Sequence, residues 1–325
     1  MSGNSDSGPE APKGVPFDAA ATAERLAEGT AKAVRDLGRR GAVVAVSGGI
    51  DSSVTAALSA KGLGPENVLC LRLPERDVGH RSSDLGLILA EALGTPTEEV
   101  VISGILEALG CYEARDEAIR KLFPDYELDW KHKLVRSEPT GGMIVFSLVV
   151  ERPDGTQDKK RMPSDSYREL LAATNMKQRT RKLLEYTWAD RLHYAVVGTP
   201  NLLEYDKGFY VKGGDGLADV KPIAGVYKSQ VYAMAFELGL PESITGARPT
   251  TDTFSLPQTQ EEFYFGFPYE QMDVLMWGLE QGVTPEELAP RAGLKPEQVE
   301  AGYSEIERRR VATEYLAAPS VLVEP

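Results

Sequence analysis

The stretch from Gly41 through Val46 to Ser47, Gly48, Gly49, Asp51, Ser52 and Ser53 joins a run of apolar strand residues to a Ser/Gly-rich turn. A carboxylate and two hydroxyls sit at the mouth of the helix that follows. Such a turn suits a polyphosphate. Its glycines let the backbone approach closely, successive N–H groups point at one anion, and the helix offers its positive N-terminus. Asp51 adds a different function, because a carboxylate beside a phosphate repels it. Its natural use there is to hold a Mg²⁺ that bridges the phosphates, since hard cations favour oxygen ligands. The G-K-[ST] ending of a Walker A loop is absent. The plainer reading is a Gly-rich strand-to-helix connection capped by Asp51; the agreement of the whole string with its strand–turn–helix setting favours the phosphate site.

Four stretches in the second half carry further polar groups. Thr199 to Glu204 follows an apolar strand, which brings a hydroxyl and a carboxylate toward the Asp51 metal. Lys212 to Asp219 is a Gly-rich loop holding one amine and the carboxylates Asp215 and Asp219. Lys228 opens a helix, and Thr250, Thr251 and Asp252 follow Pro249. Taken singly these are a turn, a solvated lysine and a cap. Their order and spacing give them weight together.

Ser47-Gly-Gly-Ile-Asp51-Ser-Ser53 after a hydrophobic strand looks like the pyrophosphate loop of the N-type ATP pyrophosphatases, which split ATP into AMP and pyrophosphate. The series continues through Asn175 to Arg181, Gly198-Thr199-x-Asn201-x-x-Glu204, Lys212-x-Gly-Asp215-Gly-x-Ala-Asp219, Val226-Tyr-Lys228-x-Gln230 and Pro249-Thr250-x-Asp252. In this order the chain resembles the NAD synthetase family. The resemblance implies a homodimer that activates a carboxylate with Mg-ATP and lets ammonia displace AMP, deamido-NAD becoming NAD. Ser47, Gly49, Asp51 and Ser52, in a loop completed by Gly48 and Ser53, would cradle the β and γ phosphates, and Asp51 and Glu204 would hold Mg²⁺. Thr199 and Arg179 would line the ATP site, and Lys228 and Thr250 would meet phosphate oxygens during transfer. Lys212, Asp215 and Asp219 match the loop that meets the acid substrate and ammonia, with Asp219 the candidate for orienting or deprotonating ammonium.

Departures from the family pattern fall mostly on the acid-substrate half. The Arg–Asp-Tyr element of the first helix is only partly matched at Arg35-Asp36-Leu37. An aromatic run over residues 263–269 replaces the expected acidic stretch, and Arg308-Arg309-Arg310 stands where the family has His-Lys-Arg. The run reads either as core packing or as a stacking platform for a ring. Two alternatives therefore stand beside NAD synthesis: the same chemistry on another carboxylate, in specialised-metabolite or surface-sugar synthesis, and a catalytically silent nucleotide-binding partner subunit. Against the latter, every phosphate and metal ligand implied by the resemblance is present.

The elements that must position these groups alternate. Helical spacing over Ala19–Arg40 precedes strands at Ala42–Val46, Val68–Leu73 and Glu99–Ile102, with helices at Ser52–Lys61 and Ser83–Leu93 between them. The expectation is an α/β fold with a doubly wound parallel sheet and its ligand at the carboxyl ends of the strands. Between Gly110 and Thr174 the texture changes, and a β-hairpin turning at Asp154-Gly155 marks an insertion. The rhythm resumes with a helix at Asn175–Leu192 and a strand at Tyr194–Gly198, followed by helices at Tyr227–Leu238 and Tyr269–Gln281. Two Pro-at-N1 helix starts, after Thr284 and Lys295, make a C-terminal helical segment over 284–318.

Composition bounds the rest. At 325 residues and 42% hydrophobic, one domain over 17–325 is expected, preceded by a disordered polar tail at Met1–Pro16. No stretch is apolar enough for a signal core or a membrane span, which reads as a cytoplasmic protein. The net charge of −13 opposes broad attraction to nucleic acid. Cys70 and Cys111 are too few for a metal cluster or a disulfide framework. Neither sits in a nucleophile context, so ammonia would come from solution or from a separate glutaminase.

Overall fold

The computed structural model describes residues 17–77, 80–140, 143–247, 254–256 and 267–323. The expected tail at Met1–Pro16, Thr250 with its neighbours, and residues 263–266 of the aromatic run lie outside these.

Four short strands form the central sheet: β1 (Ala42–Ala45), β2 (Val68–Arg72), β3 (Thr97–Glu99) and β7 (Ala195–Val196), all parallel, in the order β3-β2-β1-β7. The apolar run of each strand divides by parity between the two faces. Ala42, Val44, Val68, Cys70 and Ala195 join one core with helices α1 (Ala19–Asp36), α2 (Ile50–Leu63) and α8 (Lys228–Glu237). Val43, Leu69, Leu71 and Val196 join the opposite core with α4 (Ser103–Ala108), α5 (Cys111–Arg120) and α6 (Ser164–Leu192). Helix α3 (His80–Leu93) covers β2. Both faces are thus covered, as near-continuous apolar strands require.

The chain moves outward from β1 to β3 and then returns to β7 on the other side of β1. A crevice opens where the strand order reverses, at the carboxyl ends of β1 and β7. Helices α10 (Tyr269–Glu280), α11 (Pro285–Ala292) and α12 (Pro296–Ala317) pack on one another in a separate apolar cluster. Gly278 lets them approach, since a Cβ there would stand 2.5 Å from Leu288 and from the Tyr303 hydroxyl.

Three elements differ from expectation. The third strand is Thr97–Glu99 rather than Glu99–Ile102, because its pairing with Cys70–Arg72 sets the register, and Ile102 instead precedes α4. Helix α6 begins at Ser164, eleven residues ahead of Asn175. The hairpin of β5 (Met143–Glu151) and β6 (Gln157–Arg161) gains a third strand, β4 (Lys131–Thr140), paired antiparallel to β5. Alternation is present in β4, with His132 and Leu134 buried and Lys131 exposed, but its charged residues and Pro139 mask it in the sequence. This small sheet packs on α5 and α6 through Ile119, Leu134, Leu148 and Leu170.

Candidate functional site

The loop after β1 has the form a phosphate cradle needs. Gly48 takes φ +76°, a left-handed value that favours glycine, and Gly49 caps α2 through its backbone alone. Internal bonds fix the turn. Gly49 N–H donates to Ser47 Oγ at 3.3 Å, Ser47 N–H donates to Ser52 Oγ at 3.3 Å, and the Ser52 and Ser53 hydroxyls donate to the Gly49 carbonyl at 3.0 and 2.8 Å. Ser47, Gly48, Gly49, Asp51 and Ser52 border a cleft of about 850 Å³. Ser53, expected among the ligands, is instead fully buried beneath the loop, where its hydroxyl shapes the turn.

Asp51 sits in the first turn of α2 and faces α7 (Leu202–Asp206), which follows β7. Asn201 caps α7 with its side-chain oxygen on the Glu204 N–H at 3.1 Å, while Glu204 Oε2 accepts from Asn201 N–H at 3.2 Å. The Asn201 amide also donates to Asp51 Oδ1 at 2.9 Å, so one buried residue ties the two lips of the crevice together. Lys228, at the start of α8 and fully buried, ends on Asp51 Oδ2. Buried Asp273 of α10 accepts from the Ser229 N–H at 2.8 Å and fixes that helix start. Lys228 thus stands behind Asp51 rather than in the cleft wall.

Burial and the adjacent charge of Asp51 push the Glu204 carboxyl up to about 8, with Lys228 opposing. Burial acts to lower the Lys228 pKa, but Asp51 and Glu204 raise it overall. Two facing carboxylates in mutual repulsion fit a divalent cation. No cluster of three or more ligating side chains occurs among the described residues. A two-carboxylate donor set suits a Mg²⁺ whose remaining ligands are phosphate and water.

The Gly-rich loop divides its residues. Asp215 lines the cleft, with Oδ1 held by the Val211 N–H at 2.7 Å, and burial raises its pKa. Lys212 and Arg179 also line the cleft. The Lys212 amine donates to the Tyr315 carbonyl of α12 at 2.6 Å, and Arg179 Nε donates to the Lys212 carbonyl at 3.2 Å. Thr199 lies in the same wall. Asp219 does not. Its carboxylate accepts from the Val196 N–H at 2.8 Å and from the Tyr186 hydroxyl at 3.2 Å, tying the loop to the edge of β7.

A buried ion pair on the cleft escaped the sequence reading of the site. Lys182 and Glu185 of α6 form an ion pair at 2.5 Å, each 4% exposed, and both border the cleft. Burial raises the Glu185 pKa against the pull of Lys182, and the Asp215 charge adds to the rise. In the sequence an i,i+3 Lys–Glu pair has the look of a solvated helix face; only the placement of α6 over the crevice buries it.

With this geometry in hand, the comparisons with known proteins are specific. The NAD synthase family model matches residues 22–124 and 153–315. The NH(3)-dependent NAD(+) synthetase of Rhizobium meliloti (strain 1021) is 50% identical over 311 residues, spanning 95% of this chain and 93% of the relative. The protein of the same name from Rhizobium rhizogenes (strain K84) is 49% identical over 95% of this chain and 94% of its own length. Among solved structures, the NMN synthetase of Francisella tularensis aligns with a TM-score of 0.64 at 20% identity, covering 95% of this chain and 99% of that one. The NH3-dependent NAD synthetase of Campylobacter jejuni, solved with a nitrate ion, aligns at 0.62 and 22%, covering 95% and 100%. At these identities the structures establish the fold.

Proposed function

We propose that this chain, which belongs to the NAD synthase family, joins ammonia to the carboxylate of deamido-NAD in a reaction driven by ATP. The observation that carries this reading is the pairing of the Ser47–Ser52 cradle with Asp51 and Glu204 across one crevice, in a chain half identical to NH(3)-dependent NAD(+) synthetases.

A carboxylate is a poor electrophile, and adenylation gives it a leaving group. A substrate carboxylate oxygen attacks the α-phosphorus of ATP, the bond to the bridging oxygen breaks and pyrophosphate departs. Ser47, Gly49 and Ser52 would receive the β and γ phosphates at the N-terminus of α2. Asp51 and Glu204 would hold a Mg²⁺, which when bound neutralises phosphate charge and polarises the phosphoryl oxygen. Lys228, paired with Asp51 from behind the cleft wall, would offset the charge of that carboxylate and hold it in place for the cation. Ammonia then attacks the acyl carbon, the bond to AMP breaks, and the proton lost from nitrogen goes to a nearby base. Asp215 would take that part, a reading supported by its position at the cleft, whereas Asp219 is tied to β7.

The assignment is tested by pyrophosphate release from Mg-ATP and ammonium, with and without deamido-NAD, using Asp51→Ala as the blank. Release that requires deamido-NAD is expected. Release with other carboxylates alone would redirect the reading to another acid. A homodimer accompanies the proposal by family resemblance, and sedimentation equilibrium giving a monomer at working concentration would contradict it.

A further inference from the structure

The family model passes over residues 125–152, which carry β4 and β5, yet this stretch stands directly behind one wall of the cleft. His132 of β4 is joined to residues 254–256 by three polar contacts. Its N–H donates to Ser255 Oγ at 2.9 Å, its carbonyl accepts from the Leu256 N–H at 3.0 Å, and its Nδ1 lies 3.1 Å from Ser255 Oγ. The His132 ring meets Phe254 edge-on, with centroids 5.9 Å apart. Phe254 borders the cleft and is otherwise packed into the core of the small sheet. On β5, Phe146 lies flat against Tyr167 of α6, with centroids 4.8 Å and planes 9° apart, and Tyr167 is also a cleft residue. Leu256 closes onto Val135 and Val149. Arg136 of β4 pairs with Glu305 of α12 at 2.8 Å, which anchors the sheet to the C-terminal helices.

Two cleft-lining aromatic rings are therefore held from behind by a sheet that, among the described residues, contributes no charged group of its own to the cleft. Rings fixed in this way have already lost their rotational freedom, so stacking a ligand ring on them costs little further entropy, and planar partners gain edge and face contacts. The phosphate loop borders the same cleft, with α3 packed on Val46 beside it and Leu73 and Leu85 in the wall. That apolar slot adjoins the ATP phosphates and suits the adenine of ATP. The Phe254–Tyr167 wall is left for the other substrate.

We propose that the sheet β4–β6 is a substrate-positioning element: through His132 and Ser255 it fixes Phe254, and through Phe146 it fixes Tyr167, as the wall that receives the planar heteroaromatic ring of the acid substrate. The inference rests on the reading of the cleft as the ligase site. It makes Phe254 a specificity residue and Ser255 and His132 positioning residues.

The test is steady-state kinetics of the full chain with deamido-NAD, ATP and ammonium varied in turn, on wild type, S255A, S255T and F254L. Removing one hydroxyl or one ring should raise the deamido-NAD KM about tenfold while leaving the ATP KM within about twofold, and S255T should recover most of the loss. Deamido-NAD KM values within about twofold of wild type, or an ATP KM that rises in parallel, would overturn the proposal. If F254L does not fold, S255A and S255T decide alone, since they alter a single half-buried hydroxyl. Absence of deamido-NAD turnover by the wild-type chain would overturn the underlying reading, and this assignment with it.

Discussion

Asp51 holds two protein donors, Asn201 and Lys228, and still borders the cleft, because each carboxylate oxygen can accept more than one partner. The raised pKa of Glu204 reflects burial beside Asp51, with Lys228 opposing. Ligation of a cation by this pair is the residue-level core of the account. The two aspartates of the Gly-rich loop separate just as clearly by position. Asp215→Asn should lower kcat/KM for ammonium by about a hundredfold, the usual worth of a positioned base, with the ATP KM little changed. Asp219→Asn should mainly lower the melting temperature, because it weakens the contacts to the Val196 N–H and Tyr186. The reverse pattern, with Asp219→Asn the ammonium-specific lesion, would return the role to Asp219. Much of this was legible in the residues. Ser47, Asp51, Thr199, Glu204 and Asp215 were named from motif and resemblance, and all line one cleft. Lys182 and Glu185 were not legible as site residues, since nothing local distinguishes a buried helix pair from a solvated one.

At the scale of elements, the strands of the parallel sheet were the readable part, because burial on both faces makes each an unbroken apolar run. Strand β4 escaped because its charged residues and Pro139 mask the alternation, and the start of α6 escaped because residues 164–174 carry no strong cap. The neutral ring of His132 is what the small sheet is built around. Burial pushes its pKa down to about 3, with the Arg115 charge acting in the same direction. The folded state therefore resists a proton that the unfolded chain takes up readily. Between pH 6.5, the ordinary histidine value, and about pH 3, this group removes stability as pH falls, by about 1.4 kcal/mol per pH unit. Urea unfolding of wild type and His132→Asn should thus show a stability gap at pH 7.5 that narrows by about 2.7 kcal/mol at pH 4.5. A gap that stays constant over that range would mean that the ring titrates in the folded state as it does in the unfolded chain, which burial excludes in this account.

For the whole molecule, strand–helix alternation was enough to foresee a covered parallel sheet, but not its order β3-β2-β1-β7. That order depends on the long return from β3 through α5, β4–β6 and α6, whose packing is set by contacts far apart in sequence. The reversal at β1 and β7 is what brings Asp51 and Glu204, 153 positions apart, to the two lips of one crevice. No helix among the described residues is long and apolar enough to cross a membrane. Acidic residues are in excess over the whole chain, yet Arg72, Arg179, Arg181, Lys182 and Lys212 border the cleft, and such cations would meet anionic substrates there. The central claim is that this crevice forms an amide from ammonia and the carboxylate of deamido-NAD. Its most direct test is to supply ¹⁵N-ammonium with Mg-ATP and deamido-NAD and to weigh the product. The account predicts NAD carrying the label in its carboxamide, formed in step with AMP and pyrophosphate. Pyrophosphate released without labelled NAD, or no release at all with deamido-NAD present, would contradict it.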